Sequence, residues 1–214
     1  MFKHLGNWDM VVETPRGASL HGIEWANCKD CHRNTHISLK KYLIIYLIKF
    51  VMENTIVNNS KIQGKGVYAN KVFKKGEVVL LIDDSHVVLD PSKLTDDQNA
   101  FDCDYLQKGK VILMQEPEKY INHSCNPSVY VKSINGVRNV IAIRDIKNGD
   151  EITYDYSMNG DNDGSFECHC NGENCRKIYQ GNFFKLPIDL QKKYLPYLDD
   201  WFIEEHKSEI DKLK

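Results

Sequence analysis

Three things are missing from this 214-residue chain, and each absence removes a class of protein. No apolar run is long enough to cross a bilayer. The longest, Tyr42 to Met52, is interrupted by Lys49 and falls well short of the roughly 20 residues a spanning helix needs. No G-x-G-x-x-G opens a helix, which removes a dinucleotide fold of the doubly wound kind. There is also no basic excess. With 28 Lys and Arg against 30 Asp and Glu the net charge is -2, which argues against a protein that grips duplex DNA. That balance is uneven, the first 51 residues carrying +3 and the rest -5, and an acidic domain suits a basic peptide partner. No hydrophobic secretion signal opens the chain and its seven cysteines are an odd number, so a reducing intracellular setting is expected and disulfides are not.

What is present is one core's worth of apolar sequence, 42% hydrophobic, with three stretches that carry chemistry. The first is Tyr120-Ile121-Asn122-His123-Ser124-Cys125-Asn126-Pro127-Ser128. The second is Ile152-Thr153-Tyr154-Asp155-Tyr156, whose alternating aromatics taken alone would suit an ordinary strand. The third is Cys168-His169-Cys170 followed by Cys175, a C-x-C-x4-C run offering three thiolates where a closed zinc site needs four. Cys125 is the natural fourth, with His169 as an alternative ligand.

Asn-His-Ser-Cys, then Tyr-Asp-Tyr, then C-x-C-x4-C followed by Arg176 resembles the SET-domain protein lysine methyltransferases with their post-SET zinc segment. The resemblance extends upstream to Gln63-Gly64-Lys65-Gly66-Val67-Tyr68-Ala69 and covers roughly residues 60 to 180. It implies a mainly β fold with some α: small curled sheets around a knot-like core, followed by C-terminal helices. The corresponding domains are an N-terminal arm at 1–55, a SET domain at 56–160, a post-SET zinc segment at 161–181 and a helical tail at 182–214. A chain beginning at residue 52 is expected to suffice for catalysis.

The resemblance also implies roles. Tyr156 would lie beside the reacting methyl, Tyr154 would limit how many methyl groups fit, and Tyr105 would be a third tyrosine of the lysine channel. Gln63, Lys65, Gly66 and Tyr68 belong to the first strand that binds S-adenosylmethionine. Asn122 and His123 would meet its adenine through their backbone, and Phe166 would pack nearby. Zinc held by Cys125, Cys168, Cys170 and Cys175 would draw the post-SET segment over the cofactor. The implied partner is a basic protein or peptide, a histone tail first among them, with neither sequence-specific nucleic-acid binding nor a membrane involved.

Four further patterns come from the residues alone. Asn135-Gly136 joins Tyr130–Ile134 to Asn139–Ile143 as a hairpin, since Asn-Gly supplies the positive φ angles of a two-residue turn. The phrase Ala69, Lys71, Phe73, Lys74, Gly76, Glu77 is echoed by Ala142, Arg144, Ile146, Lys147, Gly149, Asp150, and both copies read as strand, tight turn, strand. From Pro187 onward the sequence reads as helical, with Leu190, Tyr194, Leu198, Trp201 and Phe202 on a packing face and Pro196 dividing it. Cys28-Lys29-Asp30-Cys31-His32, with His36, fits a small zinc knuckle or, the favoured reading, two unligated cysteines in an arm; its haem-attachment pattern would need an export signal.

Two other functions compete with the methyltransferase. One is a zinc-stabilised module that binds basic peptides or a partner without catalysis, for which intact Tyr154, Tyr156 and Asn122-His123 would be superfluous. The other pairs Cys125 with His123 as a thiol nucleophile, which leaves three thiolates without a partner.

Overall fold

The computed structural model describes residues 54–98 and 102–214, all of them in the unit Tyr42–Lys214. The Cys28–His36 pattern and the whole of the Tyr42–Met52 run lie outside the described residues. Among the described residues eleven strands carry the fold: β1 Thr55–Asn59, β2 Lys65–Ala69, β3 Val78–Leu81, β4 Cys103–Leu106, β5 Lys110–Leu113, β6 Asn122–His123, β7 Val129–Ile134, β8 Val137–Ala142, β9 Glu151–Tyr154, β10 Asp161–Glu167 and β11 Ile178–Asn182. Helices α1 Ile188–Tyr194, α2 Asp200–Glu205 and α3 Lys207–Asp211 follow. Seven strands form one sheet in the order β1-β2-β9-β7-β8-β3, with β6 paired to β9; β4 with β5 and β10 with β11 make separate two-stranded ribbons.

The echoed phrase clasps itself. The Phe73 N–H donates to the Ile146 carbonyl and the Ile146 N–H to the Phe73 carbonyl, both at 2.9 Å. Gly76 donates to the Ala142 carbonyl and Gly149 to the Ala69 carbonyl, both at 2.8 Å. Each turn is closed by its own carboxylate: Glu77 accepts from the Lys74 amide and Asp150 from the Lys147 amide, at 3.0 Å in both. Gly76 and Gly149 share a φ of 86°, a conformation that costs a residue with a Cβ. Phe73 and Ile146 are wholly buried, and with Val67, Val79, Leu80, Val129, Val140 and Ile152 they form the main core.

The Asn135-Gly136 turn has φ angles of 52° and 77° and joins β7 to β8 in the expected hairpin, Ile134 pairing with Val137. Beyond β11 the chain builds a second core from Phe183, Leu186, Tyr194, Leu198, Phe202, Ile210 and Leu213, joined by Met158 from the segment after β9. Pro196 sits in a 3₁₀ turn between α1 and α2, where the sequence divides its helical face. Tyr154 packs against both cores, so the tail reaches the strand that carries the tyrosine motif. Asp199 anchors the tail to β7 by accepting from the Ser133 amide at 3.0 Å and its hydroxyl at 2.8 Å.

Candidate active site

Two motifs thirty residues apart are brought side by side by a short parallel pairing, Asn122 opposite Thr153 and His123 opposite Tyr154. The contact continues past the strand: Ser124 donates its N–H to the Tyr154 carbonyl and Ser128 to the Thr153 carbonyl, both at 2.9 Å, while the Thr153 N–H returns to the Ser128 hydroxyl at 2.8 Å. Ser128 is fully buried, and this local pairing satisfies backbone groups that would otherwise be stranded in the core.

Just beyond it, the ligand atoms of Cys125, Cys168, Cys170 and Cys175 all lie within 4.8 Å of one another. The Cys125 and Cys168 sulfurs are 3.7 Å apart, close to the ~3.8 Å edge of a tetrahedron with zinc–sulfur bonds of about 2.3 Å. All four cysteines are free thiols. Two sulfurs already receive backbone donors, Cys125 from the Arg176 N–H at 3.3 Å and Cys175 from the Lys177 N–H at 3.4 Å. The donor set and spacing therefore fit a tetrahedral thiolate-bound zinc. Without a cation the cluster is electrostatically uneven: burial pushes the Cys125 and Cys168 thiols up, whereas Cys170, despite its burial, is held at about 6 by backbone donors and neighbouring thiols. Lys177 adopts a left-handed φ of 66°, which a lysine accepts at some cost where the chain must turn its amide toward Cys175.

Asp155, lying between the two tyrosines and wholly buried, ties three segments together. It accepts from both terminal nitrogens of Arg176 at 2.7 and 2.9 Å, from the Tyr194 hydroxyl of α1 at 3.0 Å and from the Ser157 amide at 3.1 Å. Although burial opposes its charge, the Arg176 guanidinium holds its carboxyl below the usual range. Nearby, His123 accepts the Tyr156 N–H on Nδ1 at 3.3 Å, which places its proton on Nε2, 3.6 Å from the Cys125 sulfur. Burial lowers its pKa to about 4, against the pull of Asp155, so at neutral pH the imidazole is uncharged and both its nitrogens are engaged. The tail thus does more than cover the domain, since Tyr194 donates into the site.

A small, partly open cleft is lined by Ile62, Gln63, Asn122, His123, Tyr156, Phe166, Glu167, Cys168 and His169. Of the residues expected from sequence, Gln63, Asn122, His123, Tyr156 and Phe166 meet here, and Cys168 joins them to the thiol cluster. Lys65 and Tyr68 turn their side chains elsewhere: the Lys65 ammonium lies 5.0 Å from the centre of the Tyr120 ring, and the Tyr68 hydroxyl donates to the Asn59 carbonyl at 2.9 Å. Gly66 lines no part of the cleft; a Cβ there would collide with the Glu151 carboxylate. Tyr105 is half exposed on β4 and does not line the cleft either. Strand alternation puts it on the face opposite Asp104, which is ion-paired with Arg138.

Phe166 stacks on Tyr179 with ring centres 4.4 Å apart, and Tyr156 meets both edge-on. The Tyr156 hydroxyl donates to the Ile121 carbonyl at 2.6 Å, and burial raises its pKa, so it stays a neutral phenol. Tyr154 donates to the Met158 carbonyl at 2.7 Å and receives the Asn159 amide at 3.3 Å. Sequence reading missed Ile62, Glu167 and His169 as cleft residues and Asp155 as the hub. Arg176 followed the cysteine run in plain sight, but nothing local marks its partner.

Residues 64–157 match the family model described as SET domain. Human histone-lysine N-methyltransferase 2D is 31% identical over 137 residues, covering 58% of this chain and 2% of that protein. Histone-lysine N-methyltransferase trithorax of Drosophila virilis is 33% identical over 137 residues, covering 56% and 3%, and human histone-lysine N-methyltransferase 2B is 27% identical over 199 residues, covering 83% and 7%. The chain therefore spans only a small fraction of the length of these relatives. The part of the chain that matches the SET-domain model, residues 64–157, holds β2, the Asn-His-Ser-Cys segment and the Tyr-Asp-Tyr motif.

Proposed function

We propose that this protein transfers methyl groups to the ε-amine of a lysine in a basic protein or peptide, histone tails being the favoured class because its relatives are named for histone lysine. The observation that carries the reading is the cleft in which Gln63, Asn122, His123, Tyr156 and Phe166 converge against the four-cysteine cluster. S-adenosylmethionine, when bound, supplies a methyl group on a cationic sulfur. Gln63, Asn122, His123 and Phe166 are the residues that would hold it, and zinc on the four cysteines would fix the wall bearing Phe166, Glu167 and His169.

The attacking lysine must be neutral, and deprotonating it at pH 7 from a pKa near 10.4 costs about 4 to 5 kcal/mol. Neither His123 nor Tyr156 is set up as a base for that proton: His123 is buried with both nitrogens engaged and Tyr156 is a protonated phenol. What the chain supplies is a dry setting and alignment. Because the Tyr156 proton is committed to Ile121, its oxygen presents lone pairs alone, suited to receive an amine N–H and to face a positive methyl. The Tyr154 proton is likewise committed to Met158, so a water beside it would have to donate to its oxygen. That water would fill the space a second or third methyl needs, making monomethyl-lysine the main product.

An intracellular setting is part of the same reading; among the described residues no helix is long and apolar enough to cross a membrane. The experiment is incubation of the purified chain with methyl-labelled S-adenosylmethionine, core histones and a whole-cell lysate. Label on lysine is expected, and no label on any protein overturns the proposal.

A further inference from the structure

The loop leading into β2 forms one wall of the cleft through Ile62 and Gln63, yet no apolar packing holds it: residues 60 to 65 carry no fully buried side chain. Polar contacts converging on Glu151, at the start of β9, hold it instead. The Ser60 hydroxyl donates to Glu151 Oε1 at 2.7 Å and accepts the Ile62 N–H at 2.8 Å. From the other side, the Asn122 side-chain amide lies 2.9 Å from the same carboxylate oxygen, 2.8 Å from the Lys65 carbonyl and 3.1 Å from the Gln63 carbonyl. Together these contacts close a ring running from Glu151 through Ser60 to the loop, and back through Asn122. The second carboxylate oxygen takes a longer bond from the Tyr68 hydroxyl at 3.3 Å. Gly66 fits this arrangement because any side chain there would meet the carboxylate.

We propose that Glu151 is a positioning residue for the cofactor: it fixes the backbone of residues 60–65 and the Asn122 side chain, and so sets how tightly S-adenosylmethionine binds without touching it. Ser60 and Asn122 both present hydrogens to Glu151 Oε1, so the role needs an acceptor at that point, whereas the one proton of Tyr68 is shared with the nearer Asn59 carbonyl. A side chain with no oxygen there opens the ring from both sides. The inference rests on the methyltransferase reading.

The test uses the full chain with its zinc, titrated calorimetrically with S-adenosylhomocysteine, the product form that has no methyl to transfer, alongside steady-state kinetics. Glu151→Met keeps the side-chain length, removes the acceptor that Ser60 and Asn122 share, and is expected to weaken binding at least about tenfold, the loss of a hydrogen bond to a charged group. Zinc content should be unchanged, and kcat at saturating cofactor should stay within about twofold. Ser60→Ala, a milder change, should weaken binding similarly, and the double variant should lose little beyond the larger single loss because both cut the same ring. Unchanged affinity in Glu151→Met, or a fall in kcat with affinity intact, overturns the proposal. Failure of the wild-type chain to bind S-adenosylhomocysteine would instead sink the methyltransferase reading, and this inference with it.

Discussion

In the main core the two echoed turns are fixed by side chains that need nothing from outside the chain: Phe73, Ile146, Val67 and Ile152 are fully buried and their backbones close on one another. The ribbon of β10 and β11 is built the other way. Every residue of β10 is exposed, and β11 buries only Tyr179 and Gly181. What holds the ribbon is the thiol cluster, the Asp155–Arg176 ion pair, the stack of Phe166 on Tyr179 and one hydrogen bond from the Ser157 hydroxyl to the Gln180 carbonyl at 2.7 Å. Apolar burial is non-directional and tolerant, whereas thiolates and an ion pair are all-or-none, so the ribbon can be lost while the core stands. Because the ribbon supplies Phe166, Glu167, Cys168 and His169 to the cleft, losing it would remove one wall of the site.

The largest effect should come from the metal. Cys125→Ser, or chelation of the wild type, is expected to abolish zinc binding and lower methyl transfer by at least about a hundredfold. Far-UV circular dichroism should keep most of its strand signal while protease cuts within residues 161–177. A full zinc complement in the variant would break the comparison, and so would collapse of the whole fold.

Next is the ion pair. Arg176→Met leaves the Asp155 carboxylate buried without its cation and should cost about 3–5 kcal/mol, read by urea denaturation. The loss should appear first in the protection of β10 and β11 amides from hydrogen exchange, and uniform loss across β7 and β8 would mean that the two regions are one cooperative unit.

A smaller effect is expected from Glu118, buried beside the main core at 6% exposure, whose pKa burial raises to about 7. Since the folded value lies above the unfolded one, its contribution is fully present below about pH 4.5 and lost as pH rises through 7. Glu118→Gln should therefore gain on the wild type between pH 5 and 8, by on the order of 2–3 kcal/mol at most. Taking the difference between the two proteins removes the opposing contribution of His123, whose lowered pKa costs stability as pH falls. Parallel pH profiles would show that Glu118 ionises in the fold as freely as outside it.

The smallest effect on stability falls where the main core meets the core of the tail. Tyr154→Phe removes the hydrogen bond to Met158 at about 1 kcal/mol, and mass spectrometry should show more dimethyl- and trimethyl-lysine. Tyr156→Phe, by contrast, should slow every transfer. Identical product distributions for wild type and Tyr154→Phe would remove Tyr154 from the metering role.

Much of the architecture was legible because it is written in local pattern. Asn135-Gly136 dictates a turn from two residues, and the echoed phrase announces two equivalent turns, although their mutual clasp is a contact between residues 73 apart. The spacing of three cysteines within eight residues implies a metal before any fold is known, and Asn-His-Ser-Cys implies the fourth ligand. For Tyr105, to which the resemblance gives a channel role, the one-residue alternation of β4 puts the side chain on the face opposite Asp104, and no local pattern says what that face meets.

Composition, turn chemistry and ligand spacing were thus determined by the sequence itself, since each depends on residues within a few positions or on a count. The Asp155 hub and the Glu151 ring were decided only by tertiary structure. Asp155 gathers His123, Arg176 and Tyr194, and Glu151 gathers Ser60 and Asn122, across separations of 21 to 91 residues. A carboxylate in a strand is an acceptor in search of donors. Which donors reach it is settled by the register of β6 on β9 and by where the second core seats α1, and no local pattern encodes either.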